Sequence, residues 1–435
     1  MLLIYSPQSS PRLEYVLQLF FAELIQTEYR ITNDAKEFQS YEGVKLNYGK
    51  KKIGGEIFLY ADDLLLEKGI REQKITAGEW KNIKALFVHH EASDLPFDPF
   101  AAAFYLVSRY EEYLLFIPDA HRRFPDKTSI NFREGFHEIP VVNHYAIFLK
   151  EILLQRFPQL TFKNSSFSFS LTYDIDFAFA YRNKGLTRNA AGYWRSLRGF
   201  DWKEIIYHTK ILLGSEVDPF DTFDFQIALH KAFTLQPVYF FLLADYGPFD
   251  KNISWMKKPF RHLIKKITDQ NEAGIHSSYA SNIHPKKIGL EKERLEKISG
   301  RKIFRNRQHF LKLQFPSTYQ NLLANGIYED YTMGYAGLIG FRAGIASPFQ
   351  WYDLTEEKVT SLKIFPFAVM DATLHYYLRL SAEEALQKSK QLIDEVKKVN
   401  GNFQFLAHND LISDHGPWKG WRKKFEELIS YAAGL

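Results

Sequence analysis

From residue 166 onward, apolar strand-like runs return at intervals filled by helical stretches, and several runs end in a polar residue. The runs are SFSFSLTYDID, QPVYFFLLA, AGIHSS, KIFRNRQHF, IYEDYTM, GFRAGI, LKIFPFAVMD and NFQFLAHND. Strands alternating with helices favour parallel pairing, and polar residues at strand C-terminal ends are the pattern of a (β/α) barrel with its site at that mouth. In the first run Phe167, Phe169 and Leu171 alternate with Ser168, Ser170 and Thr172, and Asp174 and Asp176 follow. Alternate strand residues share a face, so both carboxylates point the same way from the strand end. Like charges so close call for a proton, an arginine or a cation. A divalent metal is the solution that also brings chemistry.

At 435 residues the chain exceeds most single domains. Residues 1 to 75 alternate short strands (MLLIY, GVKLNYG, EIFLYA) with a helix. DPFAAAFYLVSRYEEYLLF then reads as one long helix starting at Asp98-Pro99, and NHYAIFLKEILLQRF as a second. The break from Pro158 through Asn164 to Ser166 divides the chain into a smaller α/β domain over residues 1–160 and the barrel over residues 166–435. In the first part Arg109, Glu111, Glu112, Asp119 and His121 read as an internal salt-bridge network.

Composition narrows the partners. A net charge of +5 with isolated lysine clusters does not suit nucleic acid. With no cysteine, any metal must be held by histidine and carboxylate. Aromatics at 16% argue for a folded protein, and a ring excess also suits a carbohydrate-facing surface. The N-terminus lacks a basic region, and Glu14 and Glu23 interrupt its apolar stretch, so it does not read as a signal peptide. No run approaches the ~20 apolar residues of a membrane span. A soluble cytoplasmic protein is expected.

Other strand ends carry His276 in GIHSSYASN, Arg307 and His309 in RQHF, Asp371 in VMDATLHYY and His408 in LAHND. In order and spacing these segments resemble the polysaccharide deacetylase family, the NodB-homology domain of carbohydrate esterase family 4, over residues 166–415. LTYDID is similar to the family's T-F-D-D strand, HSSYA to H-[ST]-x-x-H, RQHF to R-x-P-[YW], and LAHND to L-x-H. More closely, the chain looks like a bacterial subgroup with an uncharacterised N-terminal α/β domain, a look to which SRYEEYLL and DAHRRF belong.

The resemblance implies a distorted (β/α) barrel of polysaccharide deacetylase type. It implies a metal-dependent hydrolase removing acetyl groups, from amide or ester bonds, on a polysaccharide, sugar or sugar conjugate. Asp174 would be the general base, Asp176 and His276 would hold a divalent metal, most simply zinc, and Arg307 would orient Asp174. His408 would protonate the leaving amine or alkoxide.

Two departures stand out. Ile175 separates aspartates that are adjacent in the family, so base and ligand are assigned by order, and Ala280 stands where the motif has its second histidine. Catalytic zinc usually takes three protein ligands. Between His309 and His284, His309 is the expected third ligand, being on the strand that follows that of His276. The departures leave a second reading, a degenerate deacetylase fold that binds a glycan without turnover. A third, a non-metal lyase or isomerase using the aspartates as acid and base, is open on fold grounds. Asp330, Arg342 and Asp371 either line a sugar cleft or make turns and ion pairs.

Overall fold

The computed structural model describes residues 1–163 and 165–434, so Asn164, part of the expected break, lies outside the described residues. The first part is built on β1 (Leu2–Tyr5), β2 (Tyr29–Thr32), β3 (Val44–Gly49) and β4 (Ile57–Tyr60), parallel in the order β2-β1-β3-β4. β5 (Ala77–Trp80) and β6 (Ile83–Leu86) form an antiparallel pair. Asp98 caps the helix Pro99–Val107 by accepting from the amides of Phe100 and Ala101, and every residue of that helix is buried. The long helix expected there stops early, because Arg109 takes a left-handed conformation (φ 55°) and the chain turns into a short 3₁₀ stretch, Tyr110–Tyr113. Its guanidinium instead binds Glu111, Glu112 and the carbonyl of Arg342. The second expected helix is Val141–Arg156.

The second part holds β7 (Ser168–Ile175), β8 (Val238–Phe241), β9 (Glu272–Ser277), β10 (Arg305–Gln308), β11 (Glu329–Asp330), β12 (Phe349–Asp353), β13 (Lys358–Ile364), β14 (Val369–Met370) and β15 (Asn402–His408). Their order is β12-β13-β11-β10-β9-β8-β7-β15-β14, and only the β12/β13 pair is antiparallel. The sheet is rolled. Arg307 on β10 and Asp174 on β7 are three strands apart, about 14 Å if the sheet were flat, yet their side chains meet at 2.7 Å.

Among the described residues no strand pairing closes this sheet, where a barrel was expected. Irregular chain fills the interval, with Phe367 N bonded to Met333 O, Gly340 N to Ala368 O and Ala368 N to Gln404 O. Two strand assignments change for this reason. GFRAGI is a run of turns, with Gly340 at φ +110° and Gly344 at +65°. LKIFPFAVMD divides into β13 and β14 around Pro366, which has no amide to donate.

The strands before and after the break lie in separate sheets, but one apolar core runs through both parts. The fully buried Arg12 binds Glu357, Tyr15 Oη donates to Gln350 O at 2.7 Å, and Arg342 pairs with Glu112. No helix among the described residues is long and apolar enough to cross a membrane.

Candidate active site

Parallel strands bring their C-terminal ends to one mouth, where β7 carries Thr172 and Asp174 at period two and Asp176 follows just past its end. Arg307 is fully buried and spreads its donors over that row. Nη1 bonds Asp174 Oδ1 at 2.7 Å, Nη2 bonds Thr172 Oγ1 at 2.8 Å, and Nε bonds the carbonyl of Tyr331 at 2.9 Å. The guanidinium also lies over the Phe240 ring, 4.6 Å from its centroid. A planar fork held on three sides fixes the carboxylate it binds.

Asp176 faces two imidazoles. His276 Nε2 is 3.2 Å from Oδ1, and His309 Nε2 is 3.5 Å from Oδ2. One donor atom from each of Asp176, His276 and His309 lies within 4.8 Å of the others. The far nitrogens are committed. His276 Nδ1 sits 2.9 Å from the carbonyl of Arg307, and His309 Nδ1 sits 2.8 Å from Asp250 Oδ1. Carbonyl and carboxylate only accept, so Nδ1 carries a proton on both rings and Nε2 is the nitrogen turned to Asp176. Asp176 Oδ1 is buried and makes no hydrogen bond. An orphaned carboxylate oxygen beside two imidazoles anchored from behind is a donor set that fits a divalent ion.

Without an ion the three groups polarise one another. Burial opposes charge on His309, but Asp176 and then Asp250 outweigh it and raise the imidazole to about 9. Burial likewise works against the Asp176 carboxylate, and the His309 and His276 rings still hold it well below the usual range. Asp250 also accepts from the amides of Tyr279 at 2.8 Å and Ala280 at 3.2 Å. The carboxylate that anchors His309 is thus tied to the backbone of Ala280.

On the other side His408, at the end of β15, is held by Asp371. Its Nδ1 is 2.7 Å from Asp371 Oδ1 and its amide donates to Oδ2 at 2.6 Å. Nε2 faces the site, 3.9 Å from Asp176 Oδ2. Burial disfavours a charge there, but Asp371, then Asp176 and Asp174, keep the imidazole protonated far above its ordinary range.

The cleft over these groups has a volume of about 240 Å³. Asp174, Asp176, His276, His309 and His408 line it, with Phe177, Phe249, Phe310 and Tyr377 as aromatic wall, and Arg307 lies directly behind Asp174. The six residues given catalytic or metal-holding roles in the sequence, Asp174, Asp176, His276, Arg307, His309 and His408, therefore meet at one place.

The first part of the chain also reaches it. Arg123 lines the cleft, tied to Asp119 through Nε at 2.8 Å and to the carbonyl of Phe310 through Nη1 at 2.8 Å. His121 lies against Phe310, Tyr279 and Phe249. Asp119 and His121 accordingly separate from the Arg109, Glu111 and Glu112 network with which they were grouped. Asp330 bonds Asn306 and Thr332 beneath the strands, and Arg342 pairs with Glu112, so neither lines the cleft.

Sequence reasoning missed Asp250 and Arg123. YGPFDKN and AHRRFPD carry no periodicity, and their partners lie 59 and 187 residues away.

A model for a family of unknown function, DUF7033, matches residues 2–158. No curated protein matches the chain. Among solved structures, the chain is similar to a candidate polysaccharide deacetylase from Mycobacterium smegmatis, at 13% identity and a TM-score of 0.42, covering 63% of this chain and 86% of that one. It is similar to Puue allantoinase at 10% identity and a TM-score of 0.41, covering 62% and 85%. It is also similar to a polysaccharide deacetylase from Bacillus cereus at 10% identity and a TM-score of 0.30, covering 60% and 87%.

Proposed function

We propose that this chain is a metal-dependent hydrolase that removes acetyl groups from a polysaccharide, sugar or sugar conjugate, working in the cytoplasm on a distorted (β/α) barrel of deacetylase type. The observation that carries the reading is the convergence of Asp176, His276 and His309 between two further devices. These are an arginine-held carboxylate, Asp174, and a carboxylate-held imidazole, His408. Two imidazoles and one carboxylate suit zinc, and when bound such an ion supplies Lewis acidity to the acyl oxygen and to the attacking water.

The chain's own residues supply the proton transfers. Asp174, turned into the cleft and fixed by Arg307, takes the proton of the water as its oxygen attacks the acyl carbon. The tetrahedral carbon collapses as the C–N or C–O bond breaks, and His408 Nε2 gives its proton to the leaving nitrogen or oxygen. Asp371 holds the ring on Nδ1 and keeps it charged for that step. Arg123 and the Phe249, Phe310 and Tyr377 wall face the sugar side.

The test is acetate release from a panel of N- and O-acetylated oligosaccharides by protein stripped with chelator and then reloaded with zinc. The reading expects release only after reloading, and a loss of about 10²-fold or more in kcat for Asp174→Asn and for His408→Ala. Ala280 favours a second reading, glycan binding without turnover. Glycan binding with no acetate release under any metal would select it.

A further inference from the structure

The segment between β7 and β8 carries a surface that the hydrolase chemistry does not use. Two helices, Leu186–Arg198 and Trp202–Leu212, follow directly on the Asp176 to Tyr181 turn. Both turn large apolar side chains to solvent, although the second also buries Ile211. The first helix has no buried residue, and Leu186 (91% exposed), Trp194 (63%) and Leu197 share its outer face. On the second, Trp202 (60%) and Ile206 do the same, with Leu213 (79%) just past its end. Polar groups make the contacts between the helices. Tyr193 stacks on His208 at 4.2 Å and bonds Thr209 at 2.8 Å, while His208 Nε2 lies 3.2 Å from Asn189 Oδ1. Apolar stripes turned outward on adjacent helices require an apolar partner.

Charge says which kind. Residues 182–213 hold seven lysines and arginines against two acidic residues, a surplus of five, which equals the net +5 of the whole chain. The remainder of the protein is therefore neutral. Arg195 and Arg198 flank Trp194, and Lys203 and Lys210 stand beside the Trp202 stripe. Two-fold pairing of this face with a second copy would oppose like charges. Tryptophan and leucine in a stripe bordered by arginine and lysine are the composition of a helix lying in a bilayer interface, where rings enter the headgroup boundary and cations meet acidic lipid.

We propose that this helical pair docks the protein on an anionic lipid surface. The pair is rooted at the site mouth, which the docking would hold at the membrane. Asp218 accepts from the amides of Ala180, Tyr181 and Arg182, and Asn409, next to His408, donates to the carbonyl of Phe177. Arg188 bonds the carbonyls of Lys251 and Asn252, adjacent to Asp250. The inference is independent of the hydrolase reading, since it rests on the helices alone.

The test is co-sedimentation of the full chain with vesicles of phosphatidylcholine alone and of phosphatidylcholine mixed with phosphatidylglycerol. Binding is expected only to the mixed vesicles, weakening as salt rises, with a blue shift of tryptophan emission. The double variants Trp194→Ser/Leu197→Ser and Trp202→Ser/Ile206→Ser change exposed positions, and each is expected to weaken vesicle binding about tenfold or more. Arg195→Glu/Arg198→Glu should abolish the preference for acidic lipid, with circular dichroism unchanged in all three. Failure of the unaltered protein to bind mixed vesicles at low salt overturns the proposal, as does equal binding by the serine variants. Concentration-dependent self-association, lost in the serine variants and unaccompanied by vesicle binding, would instead make this face an interface between copies.

Discussion

On the proposed function, metal binding turns on His309, whose ring lies between two carboxylates. In the metal-free protein Asp176 and Asp250 raise it to about 9, so near neutral pH it carries a proton on the nitrogen that an ion would need. Proton and ion compete for Nε2, and binding must release that proton. Apparent zinc affinity is therefore expected to rise about tenfold per pH unit below 9 and to level off above it, as read by competition with a chromophoric chelator. Asp250→Asn removes one of the two carboxylates, so its curve should level off at lower pH. Losing the anchor should also cost about 10–100-fold in affinity where the ring is neutral. His309→Ala and His276→Ala should each reduce metal occupancy to a similar extent by elemental analysis. Retention of full occupancy in His309→Ala would remove that residue from the ligand set. The contact residues were legible in the sequence because strand period and motif order mark them. Asp250 was not, since nothing near it in sequence distinguishes an aspartate that anchors a ring from one that closes a turn. Asp371 was legible as a strand-end acid, but its role was not, because that depends on β14 lying beside β15.

At the scale of elements, the helix Lys286–Ser299 supports β9 through one buried carboxyl group. Glu291 accepts from the amide of Ser278 at 2.9 Å, just past the strand that carries His276. Burial, aided by nearby Asp250, raises this carboxyl to about 7 from an ordinary 4.5. The sign follows from linkage: a folded carboxyl with a raised pKa binds its proton more tightly than the unfolded chain does. Its stabilising effect is full below 4.5 and is lost as pH rises through 7. Glu291→Gln should accordingly flatten the fall in urea midpoint between those two values, and an unchanged pH profile would show the carboxyl to be ordinary. The strands that build the mouth were legible from alternation and polar ends, as β7, β9, β10 and β15 show. β12 was not, because in FQWYD the buried Phe349, Trp351, Tyr352 and Asp353 show no clean alternation. GFRAGI misled in the opposite direction. Its apolar content is real burial, with Phe341 and Ile345 in the core, but its glycines serve turns.

For the whole molecule the question is whether residues 1–160 and 166–435 behave as separate domains. Separate sheets favour the division, and the ties between the parts oppose independence. Gly340 lies so close to the first part that an added Cβ would stand 2.1 Å from the carbonyl of His137. Glu112 is buried between Arg109 and Arg342, one from each part. Burial opposes its charge, and the two guanidiniums together hold its carboxyl below the usual range. Drawing Arg342 away while Glu112 and Arg109 stay buried would remove one of the carboxylate's two cationic partners, which opposes movement of one part without the other. A protease is expected to cut in the stretch around residues 158–163, where Pro158, Gln159, Thr161 and Lys163 are exposed. The two fragments should nonetheless co-elute by size exclusion and melt in one transition. Glu112→Leu leaves buried guanidiniums without their shared carboxylate and should cost about 3–5 kcal/mol in urea unfolding, with the transition still single. Two transitions in the uncut protein, followed by fluorescence and circular dichroism, would show instead that the parts fold independently and that the core they share is an interface.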